Sequence, residues 1–518
     1  MKEITILWTD DEIDLLKPHI LFLENKGYKV ITATNGDDAV NLVKSQNFDL
    51  IFLDEHMPGL SGLETLNEIK TIFPNIPVVM ITKSEEEDFM DEAIGSKIVD
   101  YLIKPVNPNQ ILLTIKKNVD HKRLITKKTT SAYQTEFSKI GIKINESNTI
   151  SEWIEIYKNL IFWELELEKS NDQSMDEVMK LQKVEANNAF SKFIKSNYIS
   201  WFEKENKAKP LLSPNIFKEK VFPLLNDKKK VILLLIDNLR LDQWKTISPD
   251  IGEYLQIDHE DLFCSILPTS TQYARNAMFA GLMPFEISEI YPELWLDDDV
   301  EGGKNLNEEE LLKKQLVRLG IKDNFSYVKV NNLKAGKKVV ENLPNYLQKD
   351  LVVIVYNFVD ILSHARTEME MIRELTDDES AYRSLTLSWF RHSPLFDLIK
   401  ALSILSYKVI ITTDHGTIRV NNALKVVGDK KTSLNLRYKQ GKNLNYNPKE
   451  VFEVKQPSLI HLPKTNVSST YIFARNDDFF AYPNNFNYYV KYYKNTFQHG
   501  GISLEEMIIP VITLSPKV

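Results

Sequence analysis

Short segments in the second half of the chain place carboxylate and imidazole groups next to apolar, strand-like runs. These residues are Asp237 after VILLLI, Asp360 and His364 after VVIVYNF, Asp414 and His415 after VIITT, and His499 before a glycine pair. Thr271, in the segment PTST, precedes an apolar-patterned helix whose exposed N–H groups would favour an anion. Three acids, three imidazoles and a hydroxyl form a suitable ligand set for two zinc ions. Two adjacent zinc ions would clamp a phosphorus centre for in-line displacement.

A second group of acids lies near the start of the chain, where predicted strands end. Asp10 and Asp11 end the first apolar run and Asp54 ends the third. In a doubly wound parallel sheet, ligands bind beyond the carboxyl ends of the strands. Carboxylates brought together repel one another unless a divalent cation such as Mg²⁺ lies between them. Thr82 after the fourth run and Lys104 after the fifth would complete a cradle for a phosphoryl group.

Each of these residues has a simpler interpretation when it is taken alone. A strand-end aspartate is more often a turn residue or a helix cap, and a histidine in a loop is seldom a ligand. The prediction of metal chemistry therefore depends on the ordered combinations.

Composition narrows the class of protein. The net charge is −8 and no Lys/Arg block of nucleic-acid-arm type is present, which argues against a binder of duplex DNA. Cys264 is the single cysteine, so an internal disulfide is excluded and a reducing compartment is expected. The start MKEITILWTDDE lacks the pattern of a secretory signal, and apolar runs such as 231–236 are far too short to span a bilayer. We expect a cytoplasmic protein.

The distribution of apolar residues predicts three domains in an α/β multidomain chain. Residues 1–120 alternate apolar runs with amphipathic segments, which is typical of a parallel sheet. Residues 121–205 show helical periodicity with almost no Gly or Pro and predict a small helical bundle that links the other two domains. Residues 206–518 return to an α/β pattern. Between Gly416 and Phe497 the composition predicts extra strands and excursions inserted into the sheet.

The first domain resembles the receiver domain of response regulators, a flavodoxin-like fold. The segments TDDE, LDEHMPGLSG, MITKS and YLIKP match its motifs in order. The resemblance implies phosphorylation of Asp54, Mg²⁺ held by Asp10, Asp11 and Asp54, and phosphate contacts from Thr82 and Lys104. Tyr101 matches the aromatic switch position. It also implies a sensor histidine kinase as a partner and a homodimer that forms on phosphorylation.

The third domain resembles the alkaline phosphatase superfamily, specifically the PglZ domain and the nucleotide pyrophosphatase/phosphodiesterase branch. PTST, DHG and HGG carry the resemblance. It implies Thr271 as the nucleophile, with Thr269 and Ser270 as the alternative hydroxyls. One zinc ion would be bound by Asp237, Thr271, Asp414 and His415, and the second by Asp360, His364 and His499.

That branch also uses an asparagine beyond the nucleophile to bind a phosphoryl oxygen, and no motif here marks its counterpart. The candidates are Arg275, Asn276, Asn238 and Arg240. For the two arginines, a salt bridge at a helix surface is an equally good interpretation.

The order of receiver, helical middle and PglZ domain resembles a family of regulators associated with type IX secretion. The resemblance implies a phosphodiesterase for linear or cyclic oligonucleotides. The alternative is a phospho-switched adaptor that binds a sigma factor or secretion component, with zinc in a structural role. A transcription factor ranks last because no helix-turn-helix follows the receiver.

Overall fold

The computed structural model describes residues 4–83, 98–170, 175–203, 209–227, 229–297, 303, 305–322, 324–369, 374, 378–429, 432–464, 466 and 468–517. Within these ranges, the side chains of 120–128 and 364–368 are outside the description. The chain forms two compact units, residues 1–132 with 170–172, and residues 133–169 with 173–518.

The first unit is built on a five-stranded parallel sheet. Its strands are β1 Thr5–Thr9, β2 Lys29–Ala33, β3 Leu50–Asp54, β4 Val78–Thr82 and β5 Asp100–Ile103. The described helices around it are α1 Lys17–Asn25, α2 Gly36–Ser45, α3 Gly62–Ile72 and α4 Pro108–Ile115. The strand order β2-β1-β3-β4-β5 is the flavodoxin-like order, as predicted. Strands β3 and β4 are buried along their whole length, as expected for strands covered on both faces.

Three long helices follow, α5 His121–Glu146, α6 Ile150–Ser170 and α7 Asp176–Asn197. Trp153 and Tyr157 on α6 and Phe190 and Ile194 on α7 are buried in the same hydrophobic core as the strands of the C-terminal sheet. The second unit therefore contains most of the predicted linker helices together with the C-terminal residues. The domain boundaries given above stay a prediction.

The C-terminal residues form a six-stranded mixed sheet. Its strands are β6 Lys230–Ile236, β7 Leu255–Cys264, β8 Phe325–Val330, β9 Leu351–Tyr356, β10 Tyr407–Thr412 and, last in the chain, Ile508–Pro516 (β18 below). The order is β7-β18-β10-β6-β9-β8, and β10, β6, β9 and β8 run parallel. The parallel strands β10, β6 and β9 are neighbours, so their carboxyl ends lie at one edge of the sheet.

Helices and short strands surround this sheet. The helices are α8 Phe222–Asn226, α9 Leu241–Gly252, α10 Asn276–Ala280, α11 Pro284–Ile290, α12 Glu308–Arg318, α13 Leu333–Glu341, α14 Leu343–Tyr346, α15 Phe358–Glu368, α16 Glu379–Arg391, α17 Pro394–Leu402, α18 Phe486–Tyr493 and α19 Leu504–Met507. The short strands are β11 Ile418–Arg419, β12 Asn422–Lys425, β13 Tyr438–Gly441, β14 Phe452–Val454, β15 Thr470–Phe473, β16 Asp478–Ala481 and β17 Phe497–Gln498. No helix in the described ranges has both the length and the apolar character needed to cross a bilayer.

The prediction that the strands between Gly416 and Phe497 enter the main sheet is wrong. They form three small separate sheets, β11-β17, β12-β16 and β13-β15-β14. Strand β10 is already paired with β6 on one side and β18 on the other, so the excursion that follows it has no free edge there. Asparagines with positive φ, such as Asn443 and Asn476, turn the chain sharply between these short strands.

Candidate active site

The parallel core of the C-terminal sheet positions the three predicted acids. Asp237 directly follows β6, and Asp414 lies two residues beyond the end of β10. Asp360 is the third residue of α15, which begins just after β9. The three acids therefore meet beyond one edge of the sheet, where ligands bind in open α/β folds.

The first cluster consists of Asp237, Asp414 and His415, which are all buried. One potential ligand atom from each lies within 4.8 Å of the others. His415 Nε2 is 3.8 Å from Asp237 Oδ1 and 3.7 Å from Asp414 Oδ2. The hydroxyl oxygen of Thr271 lies 3.1 Å from the same His415 nitrogen. The structure thus brings together all four residues predicted for the first zinc ion.

The second cluster lies beside the first. His499 Nε2 is 3.9 Å from Asp360 Oδ1. The imidazole rings of His415 and His499 stack, with ring centroids 4.3 Å apart and an interplanar angle of 18°. His364 is on α15, one turn after Asp360, but its side chain lies outside the described residues.

Backbone carbonyls fix the orientation of both imidazoles. His415 Nδ1 is 3.1 Å from the carbonyl oxygen of Gly416, and His499 Nδ1 is 3.2 Å from that of Thr269. A carbonyl oxygen only accepts hydrogen bonds, so Nδ1 carries the proton in each ring. Each Nε2 therefore faces the acids and is the ring nitrogen available to a metal ion.

The three hydroxyls of the PTST segment have different surroundings. Thr269 Oγ1 donates to the carbonyl oxygen of Gly501 at 2.9 Å and accepts from the Gly500 N–H at 3.0 Å. Ser270 Oγ is buried and has no hydrogen-bond partner among the described residues. Only Thr271 lies beside His415, at the start of a π-helical turn that leads into α10.

A buried arginine connects the two acids of the first cluster. Arg275 Nε donates to Asp414 Oδ2 at 3.0 Å, and its Nη2 pairs with Asp237 Oδ2. Burial raises the pKa of Asp237 well above its usual range, although Arg275 opposes the shift. Burial acts on Asp414 in the same direction, but Arg275 and His415 outweigh it and hold that pKa below its usual range.

The remaining candidates for the phosphoryl contact are also internal. Arg240 is buried rather than at a helix surface, and it pairs with Asp242 and Glu379. Asn238 has φ +65°, an uncommon conformation for a residue other than glycine. Its Nδ2 lies 3.5 Å from Asp360 Oδ1, which connects the end of β6 to the second cluster. Asn276 is buried as well.

The first cluster fits a divalent cation. Asp237 Oδ1 is buried and has no hydrogen-bond partner within the described part of the chain. An unpaired buried acceptor is costly unless a cation or a donor satisfies it. Two carboxylates, one imidazole nitrogen and a hydroxyl are the nitrogen and oxygen ligands that zinc accepts. Asp360 and His499 offer the same kinds of ligand for a second ion.

The receiver pocket has the predicted arrangement at the carboxyl ends of β1, β3 and β5. One carboxylate oxygen from each of Asp10, Asp11 and Asp54 lies within 4.8 Å of the others. Lys104 Nζ is 2.8 Å from Asp10 Oδ2 and 2.7 Å from Asp54 Oδ1. Burial raises the pKa of Asp54, and Lys104 opposes the shift.

Two further predicted receiver residues, Thr82 and Tyr101, lie on the neighbouring strands β4 and β5. The Thr82 hydroxyl donates to Glu55, and Tyr101 on β5 has a side chain 38% exposed. The acids and lysine therefore form a site suited to Mg²⁺ and a phosphoryl group.

Sequence reasoning missed Glu308, a buried acid behind the first cluster. Its carboxylate accepts from Arg275 Nη1 at 3.2 Å, from Lys329 Nζ at 2.9 Å and from the Tyr327 hydroxyl. In the sequence Glu308 begins the run EEELL, and such a run of acids is typical of the exposed first turn of a helix.

The fold and the two sites define a response-regulator receiver joined to an alkaline-phosphatase-like domain. Residues 6–116 match the family model described as response regulator receiver domain, and residues 123–202 match the PorX response regulator linker domain. Residues 216–514 match the BREX system PglZ alkaline phosphatase-like domain. This last match covers more than half of the chain, and the chain belongs to the PglZ family. The three matches in this order correspond to the PorX-type architecture.

Two curated relatives each match about a quarter of this chain. The transcriptional regulatory protein ZraR of Klebsiella oxytoca is 36% identical over 140 residues, which is 27% of this chain and 32% of that protein. The alginate biosynthesis transcriptional regulatory protein AlgB of Pseudomonas aeruginosa is 35% identical over 123 residues, 24% of this chain and 27% of that protein. The chain thus spans about a third or less of these relatives.

A solved structure matches a similar share of the chain. A CheY-like receiver domain protein from Methanospirillum hungatei is 26% identical, with a TM-score of 0.23, and the match covers 23% of this chain and 96% of that one.

Proposed function

We propose that this chain is a response regulator, phosphorylated on Asp54, whose output domain is a two-zinc phosphodiesterase. The observation that carries the proposal is the position of the Thr271 hydroxyl, 3.1 Å from His415 Nε2 beside a buried cluster of acids. The proposed ligands are Asp237, Thr271, Asp414 and His415 for one zinc ion, Asp360, His364 and His499 for the other, and Asp10, Asp11 and Asp54 for Mg²⁺.

In the proposed reaction, Thr271 attacks the phosphorus atom of a phosphodiester. Bound zinc would supply the positive charge that lowers the pKa of the hydroxyl and stabilises the transferring phosphoryl group. Thr271 Oγ1 gives up its proton to solvent and forms the new P–O bond, while the ester oxygen on the opposite side leaves with the bonding electrons and takes a proton from solvent. Water then attacks the phosphorus atom of the phosphothreonine, the bond to Thr271 Oγ1 breaks, and Oγ1 recovers a proton given up by that water.

The family resemblance supports an oligonucleotide, linear or cyclic, as the substrate and a role in regulating type IX secretion. The receiver domain implies a phosphodonor such as a histidine kinase. Phosphorylation at Asp54 would be transmitted to the hydrolase through dimerisation of the receiver.

Hydrolysis of bis-p-nitrophenyl phosphate tests whether the output domain is a phosphodiesterase. The zinc content is measured on the same sample. We expect turnover that a chelator abolishes and zinc restores. Thr271→Val should abolish turnover, whereas Thr271→Ser keeps a hydroxyl and should retain part of it. Equal turnover of the Val variant and the wild type would overturn the assignment of the nucleophile. A Thr271→Val chain that keeps its regulatory phenotype in cells would favour the adaptor.

A further inference from the structure

The excursion between the two stacked histidines has a charge opposite to that of the whole chain. Residues 417–498, which separate His415 from His499, contain 13 Lys and Arg but only 5 Asp and Glu. The chain as a whole has a net charge of −8. From Asp478 to Glu505 no acidic residue intervenes. This segment is flanked in the chain by two predicted zinc ligands, and its positive charge is suited to binding a polyanion.

Helix α18 within this excursion has an aromatic surface. Its sequence FNYYVKYY contains four tyrosines, in two pairs four residues apart. Tyr489 and Tyr493 pack against the buried residues Ile418, Val420 and Phe479. The other pair, Tyr488 and Tyr492, has nearly parallel rings with centroids 6.1 Å apart and an interplanar angle of 15°.

Tyr488 and Tyr492 lie outside the hydrophobic cluster that Tyr489 and Tyr493 pack against. Tyr488 is 63% exposed, and Tyr492 is half-buried. An exposed tyrosine offers a flat face on which a nucleobase can stack, and such stacking tolerates any base. The two rings, one helical turn apart, form a platform for successive bases.

Cations accompany the platform. Lys491 and Lys494 are exposed on and just after α18, and Lys425 lies 4.9 Å from the centroid of the Phe486 ring. None of these three lysines forms an ion pair with a described carboxylate. Their charge is therefore available to phosphates, which dominate the affinity of proteins for nucleic acids.

The platform is connected to the candidate active site by a pair of strands. Strand β11 begins three residues after His415, β17 ends at the residue before His499, and the two strands pair antiparallel. Arg419 on β11 has a buried Nε without a hydrogen-bond partner among the described residues. His499 is seven positions after Tyr492, so their Cα atoms lie within about 25 Å. A single strand of about seven or eight nucleotides covers that distance, at about 3.4 Å for each nucleotide.

We propose that α18 binds the bases of a single-stranded oligonucleotide, with stacking on Tyr488 and Tyr492 and phosphate contacts from Lys425, Lys491 and Lys494. This inference rests on the proposed function, because it identifies where the substrate of that hydrolase is held. It places the recognition of an oligonucleotide substrate on a surface of this chain rather than at the metal ligands.

Binding is measured by fluorescence anisotropy with a labelled oligothymidylate of about ten nucleotides. The full chain carries Thr271→Val so that the probe is not cut. We expect Tyr488→Ala with Tyr492→Ala to weaken binding about tenfold or more, and the double Phe variant to bind as the parent does, because Phe also stacks. Lys491→Ala with Lys494→Ala should weaken binding and reduce its salt dependence.

Two competitors separate stacking from charge. An unlabelled oligonucleotide should displace the probe, whereas an abasic strand of equal length should displace it only at much higher concentration. Unchanged affinity of the double Ala variant, or equal competition by the abasic strand, would overturn the inference. Failure of the proposed function would be seen in a different experiment, because the unmodified chain would then not hydrolyse bis-p-nitrophenyl phosphate.

Discussion

Arg275 Nε donates a hydrogen bond to Asp414 Oδ2 across 3.0 Å, deep behind the candidate active site. The same guanidinium pairs with Asp237 and with Glu308, and its side chain has no exposed surface. Asp237 keeps its Oδ1 out of this contact, and that oxygen lies 3.8 Å from His415 Nε2. The arginine can therefore neutralise and orient both acids while Asp237 offers Oδ1 to a metal ion. We infer that Arg275 positions the ligands and does not contact the substrate.

Arg275→Met should destabilise the zinc-free chain strongly. It leaves three buried carboxylates without their shared cation, and breaking a buried pair in this way costs about 3–5 kcal/mol. Urea unfolding measures the change. The loss should be smaller in the zinc-loaded chain, because the metal replaces part of the missing charge. The matched control is Arg391→Met, which breaks the exposed pair with Asp250 and should cost about 1 kcal/mol or less. Equal losses in the two variants would contradict this role of Arg275.

Gly416→Ala should displace the loop that carries His415. A Cβ atom at Gly416 would lie 2.0 Å from the carbonyl oxygen of Glu505, a backbone atom that cannot rotate away. We expect zinc affinity, measured by competition with a chromogenic chelator, to fall at least about tenfold, as for changes behind metal ligands. Gly141→Ala is the control, since nothing lies within 4 Å of its Cβ and the residue is inside α5. It should stabilise the chain by about 0.5–1 kcal/mol. Unchanged zinc affinity of Gly416→Ala would contradict the prediction.

The positions of the candidate ligands could be predicted because several of them follow directly after apolar runs of strand length. Asp237 and Asp414 come after runs of β-branched and aliphatic residues whose length is typical of buried strands. Parallel strands bring their carboxyl ends together at one edge of a sheet. The same rule placed Asp10 and Asp54 in the receiver. Hydrophobic periodicity therefore predicted the sheets and the edge at which each site lies.

The groups behind the ligands could not be predicted in this way. Glu308 is 33 residues from Arg275, and an acid in the first turn of a helix is ordinarily explained by the helix dipole. Its burial depends on tertiary packing of α12 against α10, which no local pattern encodes. The extra strands after β10 were predicted, but their separate small sheets were not, because these strands are two to four residues long. Such lengths are too short for a periodic signal.

Glu164 on α6 should make stability depend on pH. Lys183 on α7 lies 2.9 Å from its Oε2, and Arg383 on α16 lies 3.0 Å from its Oε1, with Asp242 as a nearby acid. Burial raises the pKa of Glu164, but the two cations outweigh it and hold that pKa below the ordinary 4.5. The stabilisation is thus present above pH 4.5 and is lost as pH falls through the lowered pKa.

Glu164→Gln removes that charge and tests the sign of the effect. At pH 7 the variant should lose about 1.5–3 kcal/mol of unfolding free energy, and the difference from wild type should shrink well below pH 4.5. Glu155→Gln, at an exposed acid of the same helix that pairs with Lys158, should change stability by about 0.5 kcal/mol or less. A loss for Glu164→Gln that stays constant with pH would show that the carboxylate charge is not the cause.

Activation of the receiver should convert a monomer into a dimer. The Thr82 hydroxyl now donates to Glu55, and Lys104 bridges Asp10 and Asp54. A phosphoryl mimic on Asp54 offers oxygens that attract both groups, which would repack the face of β4 and β5 where Tyr101 is exposed. Sedimentation velocity with beryllofluoride and Mg²⁺ should show the dimer, and Asp54→Asn, which lacks the acceptor carboxylate, should stay monomeric. Identical sedimentation of the wild type with and without beryllofluoride would exclude dimerisation as the coupling step.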